Sequence, residues 1–214
     1  MRQVLFRCSS IGKLMTEPKT KSEGPLSVGA KTYIRSLVAQ EIFTDFEISS
    51  KEMEKGRLVE SEGIALLNRV RGLSLVKNEE RRSNRWITGE CDLFDASRRR
   101  GHDIKCPWSI ATFPILSADC EDKLYEWQMR GYMMLWDADE WEVNYTLVST
   151  PEELVRYEPQ TMHFVDHYPE HLRLTTWTMK RDLGKEEAMI EKVKAAREYY
   201  AQVLQEFEET HRKA

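Results

Sequence analysis

The chain has 214 residues, of which 41% are hydrophobic and 32% are charged, and its formal net charge is −4. This length allows one sizeable core, alone or with a helical appendage. The composition is that of a globular domain, and no stretch approaches the roughly 20 apolar residues that a membrane helix needs. The first residues also lack the apolar run of a secretory signal peptide. We therefore expect a cytoplasmic protein with no membrane anchor.

The charge and the cysteines narrow the function classes further. A net charge of −4 argues against a uniformly basic nucleic-acid binder, but arginines cluster at 81–85 and 98–100. A basic channel on an acidic body therefore stays open as an alternative. The four cysteines form no Cys-x-x-Cys pair, which argues against a zinc ribbon and against most iron–sulfur frameworks.

Hydrophobic periodicity predicts the elements in chain order. Residues 17–29 are rich in Lys, Ser, Gly and Pro, which indicates a loop. Apolar residues at helical spacing predict helices at 27–44, 49–71 and 121–136, and a long amphipathic C-terminal helix at 182–213. Alternating apolar residues predict a three-stranded meander at 73–79, 85–96 and 102–106, and further strands at 141–148 and 172–179. The pattern indicates an α/β fold with a mixed central sheet covered by helices.

Two of the predicted strands present carboxylates: Gly89-Glu90-Cys91-Asp92 and, after an arginine-rich turn, Asp103-Ile104-Lys105-Cys106-Pro107. Residues i and i+2 of a strand share a face, so Asp103 and Lys105 should lie side by side, with Asp92 facing them from a paired strand. Two carboxylates can hold Mg²⁺ through oxygen, and an ammonium beside them can polarise a water or neutralise a developing oxyanion. The arrangement is typical of phosphodiester cleavage. Because close carboxylates repel, we expect at least one of them to have a raised pKa in the metal-free protein.

The Asp-x-Lys pattern alone is weak evidence, because it is common on solvated strands. It gains weight from Glu60, which lies on the preceding helix within Gly56-Arg57-Leu58-Val59-Glu60. Gln128 and Tyr132 add to it, since residues four apart share one face of the following helix. Glu90, two residues from Asp92, is an alternative additional ligand.

In this order, Glu60, Asp92, Asp103-Ile104-Lys105 and Gln128-Met129-Arg130-Gly131-Tyr132 resemble the motifs of the PD-(D/E)xK nuclease superfamily. The chain is most similar to the branch of phage lambda exonuclease and the YqaJ-type viral recombinases, which has a Lys-Cys-Pro string like that at 105–107. The segment Arg7-Cys8-Ser9-Ser10-Ile11-Gly12-Lys13 is similar to the early serine-containing motif of that branch. Two departures are Glu-Cys-Asp in place of Pro-Asp at the first acidic motif, and Asp103 where the branch usually has Glu.

The resemblance implies a restriction-endonuclease-like core with a mixed central β-sheet flanked by helices, in a single nuclease domain of residues 1–214. It implies an exonuclease that digests linear double-stranded DNA, 5′ to 3′, with Mg²⁺, for which Mn²⁺ would substitute. Carried over by position, the metal ligands would be Asp92, Asp103, the Ile104 carbonyl and Glu60. Lys105 would activate or orient the attacking water, Gln128 would hydrogen-bond near the site, and Tyr132 would brace its helix or touch DNA. A phosphate would be gripped by Arg7, Ser10 and Lys13.

The resemblance also implies a biological setting. Such enzymes leave single-stranded tails for an annealing partner in phage-type homologous recombination, and some encircle DNA as ring-shaped trimers. The setting would be the cytoplasm of a bacterium or a phage-infected host cell. Some relatives bind an iron–sulfur cluster through a late Cys-x-x-Cys, but no cysteine follows Cys120, so we predict no cluster. The alternatives are an endonuclease of the same fold, in restriction or repair, and a non-catalytic DNA-end-binding protein.

Overall fold

A four-stranded mixed sheet and a smaller three-stranded sheet lie at the centre of the protein. The computed structural model describes residues 4–44 and 49–212. Its strands are β1 Phe6–Arg7, β2 Arg82–Ser83, β3 Ile87–Gly89, β4 Leu93–Asp95, β5 Arg100–Lys105, β6 Glu140–Thr146 and β7 Leu174–Lys180. The larger sheet has the order β4-β5-β6-β7, with β5 and β6 parallel and the other neighbours antiparallel. The smaller sheet has the order β1-β3-β2.

Helices cover these sheets, and several of them begin at a residue whose side chain caps the first turn. Their bounds are α1 Cys8–Ile11, α2 Val28–Ile42, α3 Lys51–Arg71, α4 Lys123–Trp136, α5 Glu152–Val155 and α6 Leu183–His211. Ser27, Ser50, Asp122 and Asp182 accept backbone hydrogen bonds at the starts of α2, α3, α4 and α6. Such caps satisfy amide groups that the helix leaves unpaired. The predicted α/β fold with a mixed sheet and a long C-terminal helix is confirmed; residue 213 of the predicted helix lies outside the described residues.

The predicted meander is wrong in two places. Residues 73–79 form no strand: Leu75 exchanges hydrogen bonds with the side chain of Asn68, and the backbone amide of Asn78 donates to the Asp92 carbonyl. The predicted strand 85–96 divides into β3 and β4, which belong to different sheets. Between them the carbonyl of Glu90 accepts from the Tyr132 hydroxyl and leaves the ladder. Residues 90–92 therefore belong to neither sheet.

The C-terminal helix is part of the core. Met189, Val193, Ala196 and Tyr200 form its buried stripe, which packs with residues of α2 and α4. The Tyr200 hydroxyl donates to the carboxylate of Glu41 on α2. In this conformation α6 therefore braces its own chain. Within residues 4–44 and 49–212, none of the helices combines the length and hydropathy needed to cross a bilayer.

The indole of Trp141 closes tightly over β5. Trp141 is fully buried and lies directly opposite Gly101 in the parallel pair. A Cβ atom added at Gly101 would lie 2.3 Å from the indole ring. Only glycine therefore lets β5 and β6 meet at this position with the indole in place.

Gly101→Ala should therefore cost about 1–3 kcal/mol of unfolding free energy, the usual range for overpacking a filled core. Gly56→Ala is the matched control, since a Cβ there meets no atom of the described residues outside its own helix within 4 Å. It should add up to about 1 kcal/mol through helix propensity. Urea unfolding measures both, and equal effects of the two substitutions would contradict the prediction.

Candidate active site

The junction of β4 and β5 brings two carboxylates together. Leu93 pairs with His102 in the antiparallel register, so Asp92, the residue before β4, lies opposite Asp103. The backbone amide of Ile104 donates to Oδ2 of Asp92 at 2.6 Å. Asp103 is only 1% exposed. Sequence reasoning placed these two acids face to face, and the structure brings them together.

Lys105 lies on the same face of β5 as Asp103, as the alternation of a strand requires. Its Nζ atom is 2.8 Å from Oδ2 of Asp103. The two groups form an ion pair that is mostly shielded from solvent. The ring of Tyr125 contacts the ammonium on another side, with 4.3 Å between Nζ and the ring centroid.

Helix α4 supplies the polar wall of the site. Gln128 Nε2 donates to Oδ1 of Asp103 at 3.4 Å and to the Tyr132 hydroxyl at 3.2 Å. The Tyr132 hydroxyl in turn donates to the Glu90 carbonyl at 2.9 Å. The expectation that Tyr132 touches DNA needs correction, because its side chain is only 4% exposed. Tyr132 braces α4 against the segment before β4 instead.

Glu60 reaches the same cleft from α3, but its carboxylate is already paired. The ammonium of Lys77 donates to Oε2 of Glu60. Lys77 was not identified from the sequence, because its segment was predicted to be a strand of the meander and not to contact α3. Glu90, the alternative ligand, is exposed and pairs with Arg81 at 3.0 Å, so its side chain is engaged away from Asp103.

The candidate site is an open cleft of about 510 Å³. Its walls also include Thr112, Tyr125 and Tyr145, which sequence reasoning did not single out. The lining residues are Glu52, Met53, Gly56, Arg57, Glu60, Asp92, Asp103, Ile104, Lys105, Cys106, Pro107, Trp108, Thr112, Tyr125, Gln128 and Tyr145. The predicted catalytic residues thus share one cavity that is large enough for part of a nucleotide chain.

A buried lysine ties the walls of the cleft together. Lys55 on α3 is fully buried, and its ammonium donates to the carbonyls of Pro107, Trp108 and Val148 at 2.5, 3.2 and 2.9 Å. Burial lowers the pKa of Lys55 to about 8. These contacts fix α3 against the chain that leaves β5 and β6. No sequence signal marks this residue, since lysines on helices are usually exposed.

The N-terminal residues expected to grip a phosphate form a group of their own beside the cleft. Lys13 Nζ lies 5.2 Å from the centroid of the Tyr33 ring, and burial raises the pKa of Tyr33 while Ser10 and Arg7 partly oppose that rise. Arg7, at the end of β1, is exposed. None of the three is among the residues that line the cleft. Helix α1 nevertheless abuts α4, because a Cβ at Gly12 would lie 2.9 Å from Cα of Leu124.

Burial and charge set the protonation of the site. Burial, and after it the charge of Asp103, raise the pKa of Asp92, as expected from the sequence for one of the two acids. Burial, the largest single cause, disfavours the charged form of Lys105, but the combined electrostatic attraction of Asp103, Tyr125 and Asp92 outweighs it and the pKa of Lys105 is raised. Lys105 is therefore an ammonium at neutral pH. In that form it carries a positive charge and three donor hydrogens and has no lone pair with which to accept a proton.

The chain superposes on a phage related exonuclease from Haemophilus somnus 129PT with a TM-score of 0.89 and 35% identity, over 96% of this chain and 97% of the other. It also shares the fold of the alkaline exonuclease LHK-Exo from Laribacter hongkongensis, with a TM-score of 0.72 and 14% identity over 99% and 95% of the two chains. For LHK-Exo in complex with dAMP the values are 0.70 and 15%, over 98% and 94%. No protein-family model and no curated protein matches the chain.

The fold, and the two acids and lysine at the end of a mixed sheet, define the PD-(D/E)xK nuclease class. Within it, the chain belongs to the family of the phage-related exonucleases, the lambda-exonuclease and YqaJ-type branch.

The raised pKa of Asp92 makes the stability of the metal-free protein depend on pH. Between about 4, the ordinary pKa of an aspartate, and the raised value, the folded protein keeps a proton that the unfolded chain has lost. The unfolding free energy should therefore fall as pH rises through this window. Asp92→Asn has no carboxyl group to titrate and should not show this fall. The unfolding free energy of the variant minus that of wild type should therefore rise by more than about 1 kcal/mol between about pH 5 and about pH 8. Urea unfolding in EDTA measures the difference.

Asp95→Asn is the control for this prediction. A hydrogen bond from Ser97 lowers the pKa of Asp95, so its carboxylate is ionised at both pH values and the substitution should gain nothing between them. An Asp92→Asn profile parallel to that of wild type would contradict the prediction.

Proposed function

We propose that the protein is a metal-dependent exonuclease that degrades linear double-stranded DNA. The observation that carries the proposal is the convergence of Asp92, Asp103 and Lys105 in one cleft, with Glu60 and Gln128 on its walls. Membership of the phage-related exonuclease family supports the same reaction class.

A divalent cation fits the residues that are present. Among residues 4–44 and 49–212, no three Asp, Glu, His or Cys side chains already converge as a metal site, and Glu60 is paired with Lys77. The donors are nevertheless oxygens, and two of the proposed ligands, the carboxylates of Asp92 and Asp103, lie opposite each other at the end of β5. Mg²⁺ is commonly held by one or two carboxylates and several waters. We propose Asp92, Asp103 and the Ile104 carbonyl as ligands, with Glu60 joining directly or through water, and Mg²⁺ or Mn²⁺ as the ion.

The chain's own residues have separable roles in this proposal. A bound divalent cation would supply Lewis-acid polarisation of the phosphate and lower the pKa of nearby water. Lys105, as an ammonium, orients the attacking water and stabilises negative charge that develops on the phosphate oxygens. Gln128 holds Oδ1 of Asp103 and so fixes the rotamer of that carboxylate. Tyr132 holds Gln128 in turn.

The direction of digestion and the partners are the finer parts of the proposal. We propose 5′ to 3′ digestion, with Arg7, Ser10 and Lys13 gripping the phosphate of the strand end. The contact between α1 and α4 supports the phosphate grip, since α1 leads into this basic group and α4 forms a wall of the cleft. The product would be a single-stranded tail, passed to an annealing protein in phage-type recombination. A ring of three subunits and a bacterial or infected-cell cytoplasm complete the proposal, which treats the chain as a single nuclease domain.

Digestion of end-labelled linear duplex tests the reaction. With Mg²⁺, wild type should shorten linear DNA from its 5′ ends and spare a closed circle, and EDTA should stop it. Lys105→Ala should lower the rate at least about 10²-fold, because a donor aimed at developing charge is lost. Lys194→Ala is the control, since that lysine pairs with Glu191 on α6 and lies outside the cleft lining.

Other outcomes select the alternatives. Cleavage of the closed circle would identify an endonuclease on the same core. Binding of DNA ends without cleavage, in both Mg²⁺ and Mn²⁺, would identify a non-catalytic end-binding protein.

The N-terminal basic group should contribute to DNA affinity through phosphate contacts. Each phosphate neutralised adds about 0.9 to the slope of log K against log salt. The double substitution Arg7→Gln and Lys13→Gln should therefore reduce the slope by up to about 1.8 and weaken the preference for 5′-phosphorylated ends. Fluorescence anisotropy in EDTA measures the slope. Lys194→Gln, on α6 and outside both arginine clusters, is the control, and an unchanged slope in the double variant would remove this group from the binding surface.

A further inference from the structure

Lys77 is held beside the candidate metal ligands by its neighbours in the chain. On its N-terminal side, Leu75 exchanges hydrogen bonds of 2.9 and 3.1 Å with the side chain of Asn68 on α3. On its C-terminal side, the amide of Asn78 donates to the Asp92 carbonyl at 2.7 Å. Lys77 is therefore fixed between the helix that carries Glu60 and the segment that carries Asp92. Its position follows from these contacts although the segment forms no strand.

The Lys77 ammonium neutralises negative charge at the cleft. It donates to Oε2 of Glu60, and Asp92 and Glu90 attract the same ammonium at longer range. Side-chain exposure is 50% for Lys77 and 23% for Glu60, so the pair is accessible to solvent. Exposed ion pairs contribute little to stability. This pair can open at small cost when a stronger ligand for Glu60 arrives.

We propose that Lys77 is a placeholder cation: it neutralises Glu60 in the metal-free protein and leaves it when a divalent cation binds. The inference rests on the proposed function, because it needs a metal at Asp92 and Asp103. While Oε2 of Glu60 accepts from Lys77, the ammonium neutralises the charge of that carboxylate and weakens it as a metal ligand. A divalent ion carries twice the charge of the ammonium and therefore attracts the acids more strongly.

The contrast with Lys105 supports this division of roles. The Lys105 side chain is 22% exposed and is flanked by the Tyr125 ring, so it is held inside the cleft. Lys77 projects from the chain at the rim and reaches water when it moves. In this proposal Lys105 stays beside the reacting phosphate, and Lys77 moves away from Glu60.

The proposal predicts that Lys77 weakens metal binding. Removing its charge should tighten binding of Mg²⁺ and Mn²⁺, because a competing positive charge beside the ligands is lost. We expect Lys77→Met to bind either ion about three- to tenfold more tightly at low ionic strength, with a smaller ratio in high salt. Lys77→Arg keeps the charge and should bind like wild type.

Isothermal titration of EDTA-stripped protein with Mg²⁺ or Mn²⁺, without DNA, tests the inference. Arg69→Met is the matched control, because it removes the same charge from another exposed ion pair on α3, that with Glu170. Lys77→Gln is a second neutral variant in case Lys77→Met does not fold, with folding checked by circular dichroism. In a Glu60→Gln background the effect of Lys77→Met should shrink, since the carboxylate for which the two cations compete is gone.

Tighter binding by the neutral Lys77 variants, with Arg69→Met and Lys77→Arg unchanged, supports the proposal. Equal or weaker binding by folded neutral variants overturns it and leaves the proposed function standing, since wild type still binds metal. If wild type binds neither ion, the metal-dependent function and the placeholder fail together. Equal tightening by Arg69→Met would assign the effect to net charge and would also overturn the placeholder.

Discussion

Two carboxylates held side by side at the end of a central strand, Asp92 and Asp103, are the constraint on which the rest of the site depends. Like charges in a buried place raise the free energy of the ionised state. The fold offsets this with the Ile104 amide on Asp92 and the Lys105 ammonium on Asp103. Lys105, Gln128 and Tyr132 add positive charge, hydrogen-bond donors or fixed geometry around this pair. The same repulsion makes the site attractive to a divalent cation.

Rigidity around the pair comes from packing on both sides of β5. Trp141 covers Gly101 so closely that the strand cannot shift without displacing the indole. Lys55 ties α3 to the residues that follow β5 and β6. The acids, the lysine and the wall of α4 therefore keep fixed relative positions, which a reaction governed by orientation requires. The cation that we propose to move is Lys77, whose side chain is 50% exposed and therefore reaches solvent.

Helices were predicted well because their signals are local. The apolar period lies within the helices, and the capping residues Ser27 and Asp122 directly precede α2 and α4, so the bounds of both fall close to the prediction. Strand partners are not local, and the alternation at 73–79 and 85–96 does not reveal what each segment pairs with. The amides of Leu75 and Asn78, which a strand at 73–79 would use for ladder pairing, donate instead to the Asn68 side chain and to the Asp92 carbonyl.

By itself, the sequence determined the fold class, the order of the motifs and the adjacency of Asp103 and Lys105, since the two-residue period of a strand fixes which side chains share a face. It also indicated that Asp92 faces them, because the turn between the two strands is short. Only the tertiary structure decided that Glu60 is paired with Lys77, that Tyr132 is a buried brace and that Lys55 is enclosed by three carbonyls. These facts depend on contacts between residues far apart in the chain. Such contacts are set by the packing of whole elements, which no local pattern of residues encodes.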